Sequence, residues 1–325
     1  MSSRTEAALP AGVDPQLAAA LARNEEIVTA LGPAGEDIRS VREQFMSSRS
    51  WWNEGGPVLE IDRDEVVPLS ASRQLKAAVY AAKASPQPRP AYVFLHGGGF
   101  RLGAPRSSDR QLRELAAAWG GIVVSLDYAH MPEAVFPTAV EETAAALEWL
   151  HTQGEQWGIA GANLAFGGSS AGANVAMGAA VHLGLAGCGF LKAGAFVVGV
   201  FDDDLETPSM REHGHGAQLP SRQSARSLFS AYAGRPQQRE DPRFNARLSD
   251  LAAMPPLFLG AAQLDVYRDS SLELARRLQD LHRTVEARVY PGMTHLFWGY
   301  GRMVDTANRC TQDMADFLAR QLPIS

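Results

Sequence analysis

The stretch Phe166-Gly167-Gly168-Ser169-Ser170-Ala171-Gly172-Ala173-Asn174 constrains this chain more than any other, because it sets a G-x-S-x-G pattern where one structural period gives way to another. Asn163-Leu164-Ala165-Phe166 before it is a short apolar run, as a buried strand would be, and Asn174 to Val181 after it is small, apolar and rich in alanine, as a helix would be. A strand that turns directly into a helix strains the residue at the tip, and glycine two positions to either side removes Cβ atoms that would collide. Ser170 then projects from the tip of the turn as a nucleophile. In a chain with 30 glycines the pattern can arise by chance, so its meaning depends on partners elsewhere.

A chain of 325 residues suits one α/β domain with an embellishment. At 46% hydrophobic and 20% charged it can build a large core, and disorder is not the default. The net charge of −6 and the lack of a basic cluster argue against nucleic acid as a partner. Cys188 and Cys310 are far apart with no C-x-x-C spacing, so they read as small core residues in a reducing compartment. Met1 to Pro10 has no apolar signal region, and no segment approaches about eighteen uninterrupted apolar residues. A cytoplasmic, soluble protein with no membrane partner is expected; a periplasmic one would need a signal removed before this numbering begins.

From about Asp14 to Trp52 the chain reads as a helical arm in two pieces, with Asp14 and Pro15 as cap and first turn and a second piece after Gly35. From Gly56, alternation at Val58, Leu59, Ile61, Val66, Val67 and Leu69, then Leu75, Ala77 and Val79, predicts two antiparallel strands. Strands at Tyr92–Leu95, Ile122–Leu126, the Ser170 strand and Ala195–Val200 then alternate with helices over Leu112–Trp119, Ala139–Leu150 and the segment after Ser170. The rhythm breaks from Asp202 to about Leu251, a polar stretch with one helical piece, Ser221 to Tyr232, read as an insertion folding over the site. It resumes with strands Pro256–Ala261 and Val285–Tyr290 and helices Ser270–Leu281 and Val304–Leu322. Such alternation predicts a mostly parallel sheet with helices on both faces, and ligands in such sheets sit beyond the carboxyl ends of the strands.

A serine hydroxyl needs a base within hydrogen-bond reach and a carboxylate to orient that base. Of eight histidines, His295 follows a predicted strand in Pro291-Gly292-Met293-Thr294-His295, and His96 opens a glycine run; His130, His151, His182 and His282 read as loop or helix-face residues. His213 and His215 could suggest a metal, but no third ligand is spaced to join them, and no metal is expected. Asp265, after the Leu257–Ala261 strand, is the preferred carboxylate, with Asp269 as rival and more naturally a cap of the helix beginning at Ser270. The order Ser170, Asp265, His295 is that of a triad carried on a doubly wound sheet. Gly97-Gly98-Gly99 between an apolar strand and Phe100 can aim backbone N–H groups at a developing alkoxide, and Ala171 supplies the N–H after the nucleophile.

Together, His96-Gly97-Gly98-Gly99, Asp127-Tyr128 with Pro132-Glu133 and Phe136-Pro137, Gly168-Ser169-Ser170-Ala171-Gly172, and Asp265 with His295 resemble the hormone-sensitive-lipase-type carboxylesterases of the α/β-hydrolase fold. The resemblance runs from about Asp14 to the C-terminus. It implies an eight-stranded, mostly parallel sheet as core (56–201 and 252–325), with the arm (1–55) and the insertion (202–251) forming a helical cap. It also implies an oxyanion hole of Gly98, Gly99 and Ala171, and ester hydrolysis through an acyl-enzyme, for which no cofactor is needed; the aromatic candidates below bound the substrate to short-to-medium acyl or aryl esters. This chain departs from the family at Ser169, where Asp or Thr is usual, at Ala173, usually Gly, and at Ala129-His130-Met131, where the usual arginine is missing. An amidase or formamidase-like activity would use the same groups, and a non-catalytic small-molecule receptor is the alternative of another class, disfavoured by the presence of His295. Phe100, Phe201, Trp52, Leu296, Phe297 and Trp298 are candidates for the substrate pocket, with Trp51, Phe229 and Tyr232 beside them. Asp202-Asp203-Asp204 reads as a solvated run rather than a site for a cationic substrate. The small-molecule ester or amide is the expected partner, and the Val285–Tyr290 edge or the last helix could support a homodimer.

Overall fold

Strands with no polar face belong in the middle of a sheet covered on both sides. That is where β3 (Arg89–Leu95), β4 (Ile122–Leu126) and β5 (Ile159–Ser169) lie in the computed structural model, which describes residues 10–215 and 220–324. The start read from Met1 to Leu9 lies outside the described residues. With β1 (Ile61–Pro68), β2 (Gln74–Ala81), β6 (Leu191–Val197), β7 (Leu257–Ala262) and β8 (Val285–Tyr290) they form one eight-stranded sheet in the order β1-β2-β4-β3-β5-β6-β7-β8. β1 and β2 pair antiparallel, β2 is antiparallel to β4, and all other pairs are parallel. The expected sheet is therefore present.

Side chains along each central strand alternate between two cores. Tyr92 and Phe94 of β3 and Val123 of β4 join Leu112, Leu115, Met314 and Phe317 from α3 (Asp109–Trp119) and α9 (Asp305–Gln321). Ala91, Val93 and Leu95, with Val124, join Leu147, Val175 and Ala179 from α4 (Thr138–Gln153) and α5 (Ala171–Leu183). Each fully buried large side chain contributes roughly 1.5–3 kcal/mol by leaving water, so the two faces anchor the strand ends that carry the site. Among the described residues no helix is long and apolar enough to cross a membrane. β8 is one of the two sheet edges, exposed at Ala287, Arg288 and Val289.

The arm consists of α1 (Pro15–Leu31) and α2 (Ile38–Asn53), capped by Asp14, which accepts from the N–H groups of Gln16 and Leu17, and by Asp37, which accepts from Ser40. Val58 stands 97% exposed outside β1, so the alternation there begins at Ile61. β6 stops at Val197 rather than reaching Val200, because Val198 turns to a φ of 45°, a left-handed conformation that no strand continues through. In the insertion, α7 (Arg222–Ala233) starts in a capping box of Ser221 and Ser224. A second helix, α6 (Pro208–His213), is too short and proline-led to show a period.

Asp269 corrects one expectation. Helix α8 (Arg268–Asp280) begins one residue before Asp269, so Asp269 lies inside its first turn, and its Oδ2 instead accepts from the Ser209 N–H of α6 at 2.7 Å. The acidic run corrects another, because it is not solvated. Asp202 is buried and accepts from Ser270 Oγ at 2.7 Å, Asp203 pairs with Arg239 and Asn245, and Asp204 pairs with Arg247 at 2.6 Å. These contacts knot the insertion together and fasten it to α8.

Candidate active site

Leu95 of β3 pairs with Gly168 of β5, so the two chains leave the sheet side by side, one into His96-Gly97-Gly98-Gly99 and the other into Ser169-Ser170. Ser170 has φ 53°, ψ −122°, a strained conformation for a residue with a Cβ, and caps α5. The flanking glycines are sterically required: a Cβ on Gly168 would lie 2.4 Å from Leu95 O, and one on Gly172 would lie 2.1 Å from the same oxygen. The strained turn is fastened to β6 by the Ser170 N–H, which donates to Val197 O at 3.2 Å.

β7 and β8 end on the same edge and deliver Asp265 and His295. Ser170 Oγ lies 2.7 Å from His295 Nε2, and His295 Nδ1 lies 2.8 Å from Asp265 Oδ2. Asp265 is 1% exposed, and its other oxygen accepts from the Tyr267 N–H at 3.0 Å. A carboxylate can only accept, so Nδ1 carries the proton and Nε2 offers its lone pair to the serine hydroxyl. The three residues selected from the sequence are thus brought into one hydrogen-bonded chain.

The glycine loop beside them is held from several directions. Gly98 has φ 130°, and a Cβ there would lie 2.0 Å from Leu102 O. Tyr128 Oη donates to His96 O at 2.9 Å, and the Met131 N–H donates to Phe100 O at 2.8 Å. Ser169 Oγ accepts from the Gly97 N–H at 3.0 Å, which gives the hydroxyl next to the elbow a function the sequence did not disclose. Among the described residues no protein acceptor takes the N–H groups of Gly98, Gly99 or Ala171. Replacing Ser169 by Ala strands the Gly97 N–H, a loss of about 1–3 kcal/mol where the group is cut off from water. The expected outcome is a lower thermal midpoint and a kcat reduced roughly tenfold with KM little changed, checked by calorimetry and steady-state kinetics; an unchanged kcat would free Ser169 of any part in the loop.

Arg42 of α2 reaches the Ala129-His130-Met131 stretch from a different part of the chain. Its Nη1 and Nη2 make a bidentate pair with Glu133, both at 2.7 Å, Nη2 also donates to Met131 O at 2.8 Å, and Nε donates to Arg101 O at 2.8 Å. The guanidinium holds the Glu133 carboxyl at about 2, below the usual carboxylate range. Behind the loop, the ligand-capable atoms of His96, Asp127 and His130 lie within 4.8 Å of one another, and none of the three lines the cavity described below. Burial lowers the His130 imidazole to about 4. For Asp127 burial pulls upward, but the His96 ring 3.7 Å away and His130 leave the carboxyl below its usual value. His213 lies 3.5 Å from Glu212, and the metal-capable set among the described residues is the one around His96.

Ser170, His295, Gly98, Gly99 and Ala171 all open on a cavity of about 1080 Å³, walled by Val41 and Phe45 of the arm, Ala225 and Leu228 of α7, and Val198 and Val200 after β6. Of the aromatic and apolar candidates, Phe100, Leu296 and Trp298 line it. Trp52, Phe201 and Phe297 do not. Trp52 is buried with Nε1 donating to Asn24 Oδ1 at 3.0 Å, Phe201 packs edge-on to Phe196, and Phe297 packs on Tyr290. Tyr232 forms a layer behind the wall, its ring 3.7 Å from that of Phe100, and Phe229 packs on Phe244. Trp51 lies between the guanidinium groups of Arg302 and Arg23, 3.8 and 4.9 Å from its ring.

Residues 92–299 match the alpha/beta hydrolase fold family. The chain belongs to that family. Solved structures agree: the esterase of Pyrobaculum calidifontis superimposes with a TM-score of 0.84 at 26% identity, over 95% of this chain and 98% of its own. A thermophilic carboxylesterase cloned from a metagenomic library gives 0.83 at 26% identity, over 88% and 98%. A thermostable esterase from Pseudomonas putida gives 0.86 over 98% and 100%, though at 23% identity that likeness speaks to the fold alone. The resemblance to hormone-sensitive-lipase-type carboxylesterases read from the motifs is thereby borne out. Within this hydrolase two of the three departures, at Ser169 and Ala129-His130-Met131, lie next to the glycine loop and Arg42, while Ala173 is buried in the first turn of α5.

Proposed function

We propose that this hydrolase, of the carboxylesterase type, cleaves short-to-medium acyl or aryl esters through an acyl-enzyme formed on Ser170. The observation that carries the reading is the chain Ser170 Oγ to His295 Nε2 to Asp265, at 2.7 and 2.8 Å, opening on a largely apolar cavity beside unpaired N–H groups. Ser170 attacks the acyl carbonyl while His295 Nε2 takes its proton. Asp265 stabilises the imidazolium and keeps Nδ1 protonated. The N–H groups of Gly98, Gly99 and Ala171 meet the oxyanion, each such donor being worth about 3 kcal/mol in the transition state. His295 returns the proton to the leaving alcohol, and water admitted to the same base then hydrolyses the acyl-serine. The arm and the 202–251 insertion act as the cap: both contribute walls of the cavity and so limit the acyl or aryl group that fits.

The test is hydrolysis of p-nitrophenyl esters of increasing chain length beside matching p-nitroanilides. Ester turnover that falls off with long chains, with anilides slower by orders of magnitude, is the expected result. Anilides cleaved as fast as esters would make the protein an amidase on the same machinery. Tight ligand binding with every ester and anilide inert would make it a receptor.

A further inference from the structure

Arg49 of α2 lines the substrate cavity, and it is charged at any working pH. Its Nη2 donates to Gly299 O at 2.7 Å and its Nε to Ser107 O at 3.3 Å, both backbone carbonyls, with the Tyr300 ring 5.8 Å from the guanidinium carbon. Among the described residues no carboxylate lies within salt-bridge distance of it, in contrast to Arg42 two turns earlier on the same helix, which is paired bidentately. The other charged groups of the cavity wall, Glu36 and Arg101, are exposed. Burial lowers the Arg49 pKa, yet the residue is only half-buried, and Nη1, which meets no protein acceptor among the described residues, is not one of the fully buried atoms in the cavity that Arg49 lines.

Removing a full charge from water without an opposing charge costs several kcal/mol. Holding two carbonyls does not require that cost, because a neutral donor such as glutamine could do the same. Among the described residues two of the five N–H donors of the guanidinium are used, and a fork with spare donors is shaped for a carboxylate. We propose that Arg49 is an anion-recognition subsite of the cavity, and that the preferred substrates are esters carrying a carboxylate remote from the bond that is cleaved. The proposal rests on Ser170 being the nucleophile of an ester hydrolase.

Two pairs of substrates test it. Mono-p-nitrophenyl suberate against its methyl-capped diester places the carboxylate on the acyl side; 4-acetoxybenzoate against methyl 4-acetoxybenzoate places it on the alcohol side. The wild type is expected to show a kcat/KM ratio of acid to neutral ester of roughly tenfold or more in one pair, which also tells which side Arg49 serves. In Arg49→Gln that ratio falls to about one. A purely structural Arg49 would lower both members together and leave the ratio unchanged, and a wild-type ratio below one in both pairs overturns the proposal outright. Should Arg49→Gln fail to fold, competition on the wild type decides: octanoate inhibits neutral-ester hydrolysis at least tenfold better than octanamide, and equal inhibition overturns the subsite. Failure of the esterase reading is separate and visible beforehand, as turnover of the neutral esters that survives loss of the Ser170 hydroxyl.

Discussion

Ser170→Ala is expected to lower kcat/KM for p-nitrophenyl esters by roughly 10⁴–10⁶-fold while leaving the fold intact. Both residues carry a Cβ, so the strain of φ 53° is the same in either, and the Gly168 and Gly172 contacts that shape the elbow do not involve the side chain. What is lost is the single hydroxyl 2.7 Å from the base. Substrate binding and the N–H groups of Gly98, Gly99 and Ala171 remain, so activity above the uncatalysed rate is expected to persist. Circular dichroism and the thermal midpoint should match the wild type. Full activity in this variant would dismiss the covalent mechanism, including everything built on it.

Asp265→Asn should be nearly as damaging, with kcat reduced by about 10⁴-fold, for a reason that is purely one of proton position. One carboxylate oxygen of Asp265 accepts from the Tyr267 N–H at 3.0 Å and the other from His295 Nδ1 at 2.8 Å. Asparagine has one acceptor and one donor end. The Tyr267 N–H claims the oxygen, which turns the amide NH2 toward His295 Nδ1 and drives the imidazole proton to Nε2. That nitrogen then faces Ser170 with a hydrogen instead of a lone pair. Because Asp265 and Asn have the same shape, KM and thermal midpoint should move little; a loss of only about tenfold would mean that orientation alone, and not the tautomer, is what Asp265 supplies.

The parts of this fold that could be read from the sequence share one property: each is signalled within a few neighbouring residues. Ile122–Leu126 is apolar on both faces and emerged with the same bounds, as did Val285–Tyr290. Ser170, Asp265 and His295 each follow a strand, and the sheet then delivers all three to one edge. Contacts closed over long loops left no such trace. Arg42 meets Glu133 across 91 residues, and Ser169 meets Gly97 across 72. The pocket aromatics were harder still, since a ring facing a cavity and a ring facing a core obey the same apolar preference. Phe100 and Phe201 read alike in sequence, yet Phe100, with a left-handed backbone at φ 57°, lines the cavity and Phe201 does not.

The arm touches the catalytic edge at both ends of the chain. Arg42 grips Arg101 O, Met131 O and Glu133 beside the glycine loop; Arg49 grips Gly299 O just past His295; and the Asp14 N–H donates to Gly292 O at 3.0 Å. For protein engineering this makes the first fifty-five or so residues a poor module to exchange. A chimera carrying the arm of another esterase would lose its fastenings to the loops after β3 and β8 together, and so would disturb the loops that carry the glycine run and His295. Any successful graft has to bring its own versions of Glu133 and the Gly299 turn with it, so that the arm and the loops it grips are recombined as one unit.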